Sequence, residues 1–118
     1  MIDVCKVHSI HLMAYSSFGA ASWVELDHPA ATTLPSLFTH DTITRIAAAH
    51  SRTPAQVLLR WATQRGITVI PKSSNPGRLV ENLDSAFDLT DDEIAAISQL
   101  DRGFRIASGI DPRLNVWA

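Results

Sequence analysis

Apolar positions in this chain fall into two kinds of block. Ile10-His11-Leu12-Met13-Ala14-Tyr15 and Ile67-Thr68-Val69-Ile70 are short apolar runs of strand length. Elsewhere the apolar residues recur three and four apart. Ile43, Ile46, Ala47 and His50 share such a face within residues 39–50, and Val57, Leu58, Trp61 and Ala62 form the next. Leu79, Val80 and Leu83, then Ile94, Ile97 and Leu100, continue the pattern, and each set predicts a helix with that stripe turned inward. Residues 1–7 read as the tail of a further helix.

Punctuation agrees with these blocks. Thr53-Pro54 is a helix cap followed by proline in the first turn, and Gly66 suits the position just past the end of that helix. Asn75-Pro76 starts the next helix, and Thr90 with Glu93 forms a capping box. Residues 20–37 have no period and include Pro29 and Pro35. A loop longer than about 12–15 residues is uncommon without a function. Residues 102–118 read as an irregular tail, and there is no internal repeat or low-complexity stretch.

Strands connected through helices imply a parallel β/α arrangement, in which the first strand is expected to be buried on both faces. Only two strands are convincing. Two strands cannot close a barrel, and their outer edges are open pairing surfaces.

A chain of 118 residues fits one domain with a single modest core. It is 46% apolar and 19% charged, with a mean hydropathy close to zero. A net charge of -2 gives no field that would draw it to nucleic acid or an anionic membrane. No apolar run reaches the roughly 18–20 residues of a membrane span. The start lacks the basic and apolar regions of a secretory leader, and one cysteine excludes an internal disulfide, so the expected compartment is the cytoplasm.

Candidate chemistry concentrates after the second strand. Lys72, Ser73, Ser74 and Asn75 sit at its C-terminal end, where ligands bind in parallel β/α folds. They combine a cation with short polar donors, and the following helix turns its free N–H groups to the same spot. Arg78 can fork onto a phosphate, and Glu81 and Asn82 lie one turn on, placed for a base or a ribose. A solvated loop with an ordinary N-cap is the competing reading.

The whole chain resembles the last third of a fungal aldo-keto reductase, closest to the xylose reductase type. Ala14-Tyr15-Ser16-Ser17-Phe18-Gly19 looks like that family's seventh barrel strand and turn. Thr53-Pro54-Ala55-Gln56-Val57-Leu58-Leu59-Arg60-Trp61 looks like its seventh helix, and Ile70-Pro71-Lys72-Ser73 like its eighth strand. The resemblance implies an α/β fold, a truncated TIM-barrel segment of two parallel strands with flanking helices, spanning residues 1–118 as one domain. Self-association is expected to complete it: four copies would provide eight strands, and two copies with swapped elements would also cover the edges.

The resemblance also implies the cofactor NADP, as NADPH. Tyr15 corresponds to the residue that stacks on the nicotinamide. Ser16 and Phe18 match positions near the pyrophosphate, and Glu25 matches a loop acid that contacts the adenosine ribose. Lys72, Ser73, Ser74 and Arg78 fall on positions that hold the 2′-phosphate or its ribose, and Glu81 and Asn82 on adenine contacts. Lys72 with Arg78 implies a preference for NADP over NAD. Ser74 stands where xylose reductases often have asparagine, and Asn75 and Gly77 also differ from the commoner residues.

The family's reductases use an aspartate, a tyrosine, a lysine and a histidine from the first half of the barrel. None of those motif positions occurs in this chain, and identical copies cannot supply them. Tyr15, the single tyrosine, belongs to the stacking role. Of the five histidines His8, His11, His28, His40 and His50, none has metal-type spacing. His11 faces either a pocket or ordinary packing, and His28 and His40 sit in or beside the long loop as candidate acid/base groups that no spacing singles out. Asp111, Arg113 and Trp117 lie where the family's tail folds over the substrate pocket, with a solvated tail as the alternative. Trp23 either lines the cofactor loop or packs it, and Cys5 reads as a small buried residue. The resemblance thus implies an NADP-linked oxidoreductase acting on a small carbonyl or alcohol. Two other readings stand beside it: a repurposed cyclase, isomerase or dehydratase of fungal secondary metabolism, and a non-catalytic nucleotide-binding module.

Overall fold

The computed structural model describes residues 2–27 and 29–103. In chain order the elements are α1 (Ile2–Val7), β1 (Met13–Ala14), a 3₁₀ helix (Gly19–Leu26), α2 (Ala30–Thr33), a short 3₁₀ turn (Leu37–Thr39), α3 (Asp41–Ala49), α4 (Pro54–Thr63), β2 (Thr68–Val69), α5 (Pro76–Leu83) and α6 (Asp91–Ser98). The predicted helices and both strands are present. The stretch read as an aperiodic loop is instead organised as 3₁₀ and α-helical turns. Ser36 opens the last of them by accepting a hydrogen bond from the Phe38 N–H at 3.2 Å.

β1 and β2 pair in parallel, with Met13 opposite Thr68 and Ala14 opposite Val69. The Thr68 N–H donates to the Leu12 carbonyl at 3.0 Å and the Ile70 N–H to that of Ala14 at 3.3 Å. His11 Nε2 and Thr68 Oγ1 add a side-chain bond of 2.6 Å across the same pair. Each strand is shorter than the apolar run that encodes it. Among the described residues each has one neighbour only, so the ladder stops where that neighbour's does.

The core lies between helices. Ile43, Ile46 and Ala47 of α3 pack with Val57 and Leu58 of α4, Leu89 and Ile97 of α6, and partly buried Phe18, Leu37, Phe38, Trp61 and Phe87. Ile43, Ile46, Val57 and Leu59 are fully buried, each contributing about 1.5–3 kcal/mol. Caps set where the helices start and stop. Thr53 and Gln56 form a reciprocal capping box on α4, in which the glutamine adds to the cap that the Thr53-Pro54 pair predicts. Past the end of α4, Gly66 takes φ +78°; its N–H donates to the Thr63 carbonyl at 3.0 Å, and the Ile67 N–H to that of Ala62 at 3.1 Å. That pair of bonds is a Schellman turn, which delivers the chain directly into β2.

Two burial expectations fail. Ile10, Met13 and Tyr15 are 56–60% exposed, so β1 is not covered on both faces. On α5, Leu79, Val80 and Leu83 are 45%, 67% and 85% exposed, so that stripe does not turn into a core. The cause is common to both: periodicity fixes which residues share a face, but burial needs an opposing layer, and among the described residues none lies over these faces.

Helices α3 and α6 are joined at their ends by His50 and Glu93, whose Nε2 and Oε2 lie 2.9 Å apart in a part-buried contact. His50 shares the spacing of the apolar face of α3 but sits at its C-terminal cap. Burial raises the Glu93 carboxyl pKa; the Thr90 N–H and the His50 ring more than offset this, leaving it below its ordinary 4.5. A depressed carboxyl pKa adds stability that is complete above the unfolded value and is lost as pH falls through the folded one. Glu93→Gln, which keeps the capping box, is expected to be less stable than the unsubstituted chain at pH 6. Thermal melts between pH 6 and pH 3 should show that gap closing below pH 4.5; a gap constant with pH would show that the Glu93 charge contributes nothing.

Candidate functional site

Beyond β1 the chain turns sharply at Ser16, whose φ is +52°, and the Gly19 N–H closes the turn onto the Ser16 carbonyl at 3.0 Å. Gly19 itself has φ +59°, and a Cβ there would come within 3.0 Å of the Leu37 side chain, so glycine serves both the turn and the close approach. Ser22 Oγ then accepts from the Phe18 N–H at 3.2 Å, and the Phe18 and Phe38 rings meet at 5.4 Å. This fixes one wall of a cleft.

The other wall follows β2. Ser73 Oγ accepts from the Asn75 N–H at 3.1 Å, and Asn75 Oδ1 accepts from the Arg78 N–H at 3.1 Å, capping α5. A Cβ at residue 77 would lie 3.2 Å from that Oδ1, so Gly77 leaves room for the cap. Arg78, Glu81 and Asn82 then share one side of α5 by their spacing of three and four.

Between the walls lies a cleft of about 560 Å³, within the range of small-molecule sites. Ser16, Phe18, Glu25, Lys72, Ser73, Arg78, Glu81 and Asn82 all line it. Tyr15, directly after β1, and Ser74, in the loop between β2 and α5, do not; both are exposed. Glu25 and Lys72 form an ion pair linking the two walls. With both side chains about two-thirds exposed, such a pair contributes only ~0–1 kcal/mol, so a ligand can displace it at low cost. Arg78 has no ion pair among the described residues, and the residue is exposed at the cleft.

Thr53, Pro54, Ala55 and Phe38 also line the cleft, though the sequence suggested no such role for them. A signal was available. A helix returning the chain to the start of a parallel strand begins at the C-terminal ends of the strands, which is the ligand-binding end. The Thr53-Pro54 cap therefore had to lie near the Asn75-Pro76 cap.

The donor set suits a phosphorylated ligand. An ammonium and a guanidinium stand beside the Ser73 hydroxyl, while Glu81 and Asn82 offer an acceptor and a donor–acceptor pair for sugar or base edges. The other candidates lie elsewhere. His40 Nδ1 caps α3 by accepting from the Thr42 N–H at 3.2 Å, His50 pairs with Glu93, His11 bonds Thr68, and His8 is exposed on the turn after α1. Trp23 is partly buried outside the cleft lining, and Cys5 is partly buried rather than buried. His28, Asp111, Arg113 and Trp117 lie outside the described residues. Among the described residues no group of three or more His, Cys, Asp or Glu is placed to hold a metal ion, and no helix is long and apolar enough to cross a membrane.

Comparison with known proteins bears on the family and the fold. The family model described as "Aldo/keto reductase family" matches residues 1–102. An NAD(P)H-dependent pentose reductase of Pyricularia oryzae is 59% identical over 112 residues, covering 94% of this chain and 34% of the relative. An NADPH-dependent D-xylose reductase of Candida boidinii is 55% identical over 106 residues, covering 89% and 33%. Among solved structures, an aldo-keto reductase complexed with NADPH superposes with a TM-score of 0.75 at 33% identity, covering 89% of this chain and 32% of that one. The chain thus spans about a third of the length of the curated relatives it matches.

The Asn75 cap is the local device that organises the β2 wall. Asn75→Ala is expected to cost about 1 kcal/mol in urea denaturation and to speed amide exchange in the first turn of α5, whereas Asn75→Asp should preserve both. Equal behaviour of the two variants would show that the cap does not order this wall.

Proposed function

The chain belongs to the Aldo/keto reductase family, and from that premise we propose that it binds NADPH in the cleft and serves an NADP-linked oxidoreductase acting on a small carbonyl or alcohol. The observation that carries this reading is the convergence of Lys72, Ser73, Arg78, Glu81 and Asn82 on one cleft with Ser16, Phe18 and Glu25. Lys72, Ser73, Ser74 and Arg78 would hold the 2′-phosphate and its ribose, and Glu81 and Asn82 the adenine. Ser16 and Phe18 would lie near the pyrophosphate, Glu25 at the adenosine ribose, and Tyr15 against the nicotinamide. When bound, the cofactor supplies or accepts hydride.

The segment's part in this reading is to bind and orient. Two cations meet the 2′-phosphate, and Phe18 with Phe38 gives the cleft an apolar floor. The family's Asp-Tyr-Lys-His set has no matching motif positions in the segment, so on this reading delivery of the proton falls to other groups. A pentose aldehyde is the first substrate to try, because relatives carry the names pentose reductase and D-xylose reductase. We place the protein in the cytoplasm, as one domain over residues 1–118.

Calorimetric titration of NADPH is expected to show saturable binding that weakens about tenfold or more in Lys72→Ala and again in Arg78→Ala, the range of a lost charge-assisted hydrogen bond. Unchanged affinity in both variants would refute the cofactor assignment. Tight binding without oxidation of NADPH by any aldehyde would move the reading to a nucleotide-binding module.

We further propose that the chain self-associates to complete a barrel. The support is the pair of open strand edges together with the exposed apolar residues of β1 and α5. Sedimentation at micromolar concentration is expected to give a mass above the 12.9 kDa of one chain, reduced by Leu83→Glu. A monomer mass would eliminate this proposal.

A further inference from the structure

Helix α5 carries Arg78, Glu81 and Asn82, yet none of its residues is buried. A helix of this length does not hold itself in water, so contacts with the rest of the molecule must fix its position. Its apolar residues provide little of this, since none is buried and Leu79, Val80 and Leu83 are 45%, 67% and 85% exposed. The ties that exist are polar and lie at its C-terminal end. Gln56 Nε2 donates to the Glu81 carbonyl at 3.2 Å and to the Asp84 carbonyl at 2.7 Å. Arg52 adds an ion pair to the exposed Asp84 carboxylate.

Gln56 is the buried polar side chain of the described core, 5% exposed. Its Oε1 accepts from the Thr53 N–H at 2.9 Å, completing the capping box of α4. One carboxamide thus spends its acceptor on the start of α4 and both donors on α5. Glu81 lies in the last turn of α5, where carbonyls have no partner within the helix. A side chain from a different helix supplies that partner, from a site that solvent barely reaches.

We propose that Gln56 is a positioning residue for the cleft: its carboxamide fixes the end of α5, and through it the placement of Arg78, Glu81 and Asn82. This rests on the reading of the cleft as an NADPH site. The capping role and the α5 role are separable. Gln56→Glu keeps the acceptor, and glutamate is as good as glutamine in a capping box, but it removes both donors. Gln56→Met keeps the volume and removes every polar atom.

The test combines hydrogen exchange with NADPH titration. In both variants the α5 amides should exchange about tenfold faster, with the α3 and α6 amides unchanged. The dissociation constant for NADPH should rise about tenfold. Arg78→Ala should cost less in the Gln56→Glu background than alone, because a displaced α5 no longer aims the guanidinium. Faster α5 exchange with unchanged NADPH affinity, unchanged α5 exchange, or additive effects with Arg78→Ala would each overturn the proposal. Failure of the unsubstituted chain to bind NADPH would overturn the cofactor reading itself, and this proposal with it. If Gln56→Glu loses its fold by circular dichroism, Gln56→Met, which buries no charge, carries the same readouts.

Discussion

The burial of α4 is the constraint on which the rest of the structure depends. Val57 and Leu58 face α3 and α6 in the core, and Leu59 and Ala62 are buried as well. A helix covered this widely cannot slide or rotate without exposing side chains worth about 1.5–3 kcal/mol each. Everything functional is attached to its two ends. At one end the Gly66 turn starts β2, and hence the register with β1 that sets Met13 opposite Thr68 and Ala14 opposite Val69 and brings the segments after both strands to the same cleft. At the other end Thr53, Pro54 and Ala55 form part of the cleft wall and Gln56 grips α5. The cleft inherits its rigidity from a core to which it contributes little.

Its electrostatics are balanced rather than strongly positive. Lys72 and Arg78 stand with Glu25 and Glu81 around the same space, and the chain as a whole carries a net charge of -2. Long-range attraction of an anion is therefore weak, and on the proposed reading discrimination rests on contact geometry: the Arg78 guanidinium, the Lys72 ammonium and the Ser73 hydroxyl. The Glu25–Lys72 pair fits that picture. It links the two walls, and its exposure keeps it weak.

Much of the site was legible in the sequence because it is written in local chemistry. Asn75-Pro76 must cap a helix whichever fold surrounds it, and that cap puts Arg78, Glu81 and Asn82 on one face. The link between Glu25 and Lys72 was less accessible. They lie far apart in sequence, and only the β1–β2 register brings them together. Gln56 falls within a family motif, but its neighbours in sequence reveal no task for it, because its donors reach carbonyls 25 and 28 residues away. The 3₁₀ helix at Gly19–Leu26 escaped because its turns leave no 3.6-residue period to detect.

Val57 and Leu83 show where pattern reading stops. Both are apolar residues at helical spacing, yet Val57 is fully buried and Leu83 is 85% exposed. Periodicity describes a helix's own surface and is silent on whether a second surface opposes it. Where one does, as for α4, apolar burial fixes the helix. Where none is described, as for α5, the helix still needs a hold, and hydrogen bonds to its terminal carbonyls supply one that works without an apolar partner. The donor for such bonds must itself be immobile, or the tie transmits motion rather than order. A glutamine in the first turn of the most deeply packed helix meets that condition, which is why a buried polar residue in this core is a consequence of the open face of α5 rather than a flaw in the packing.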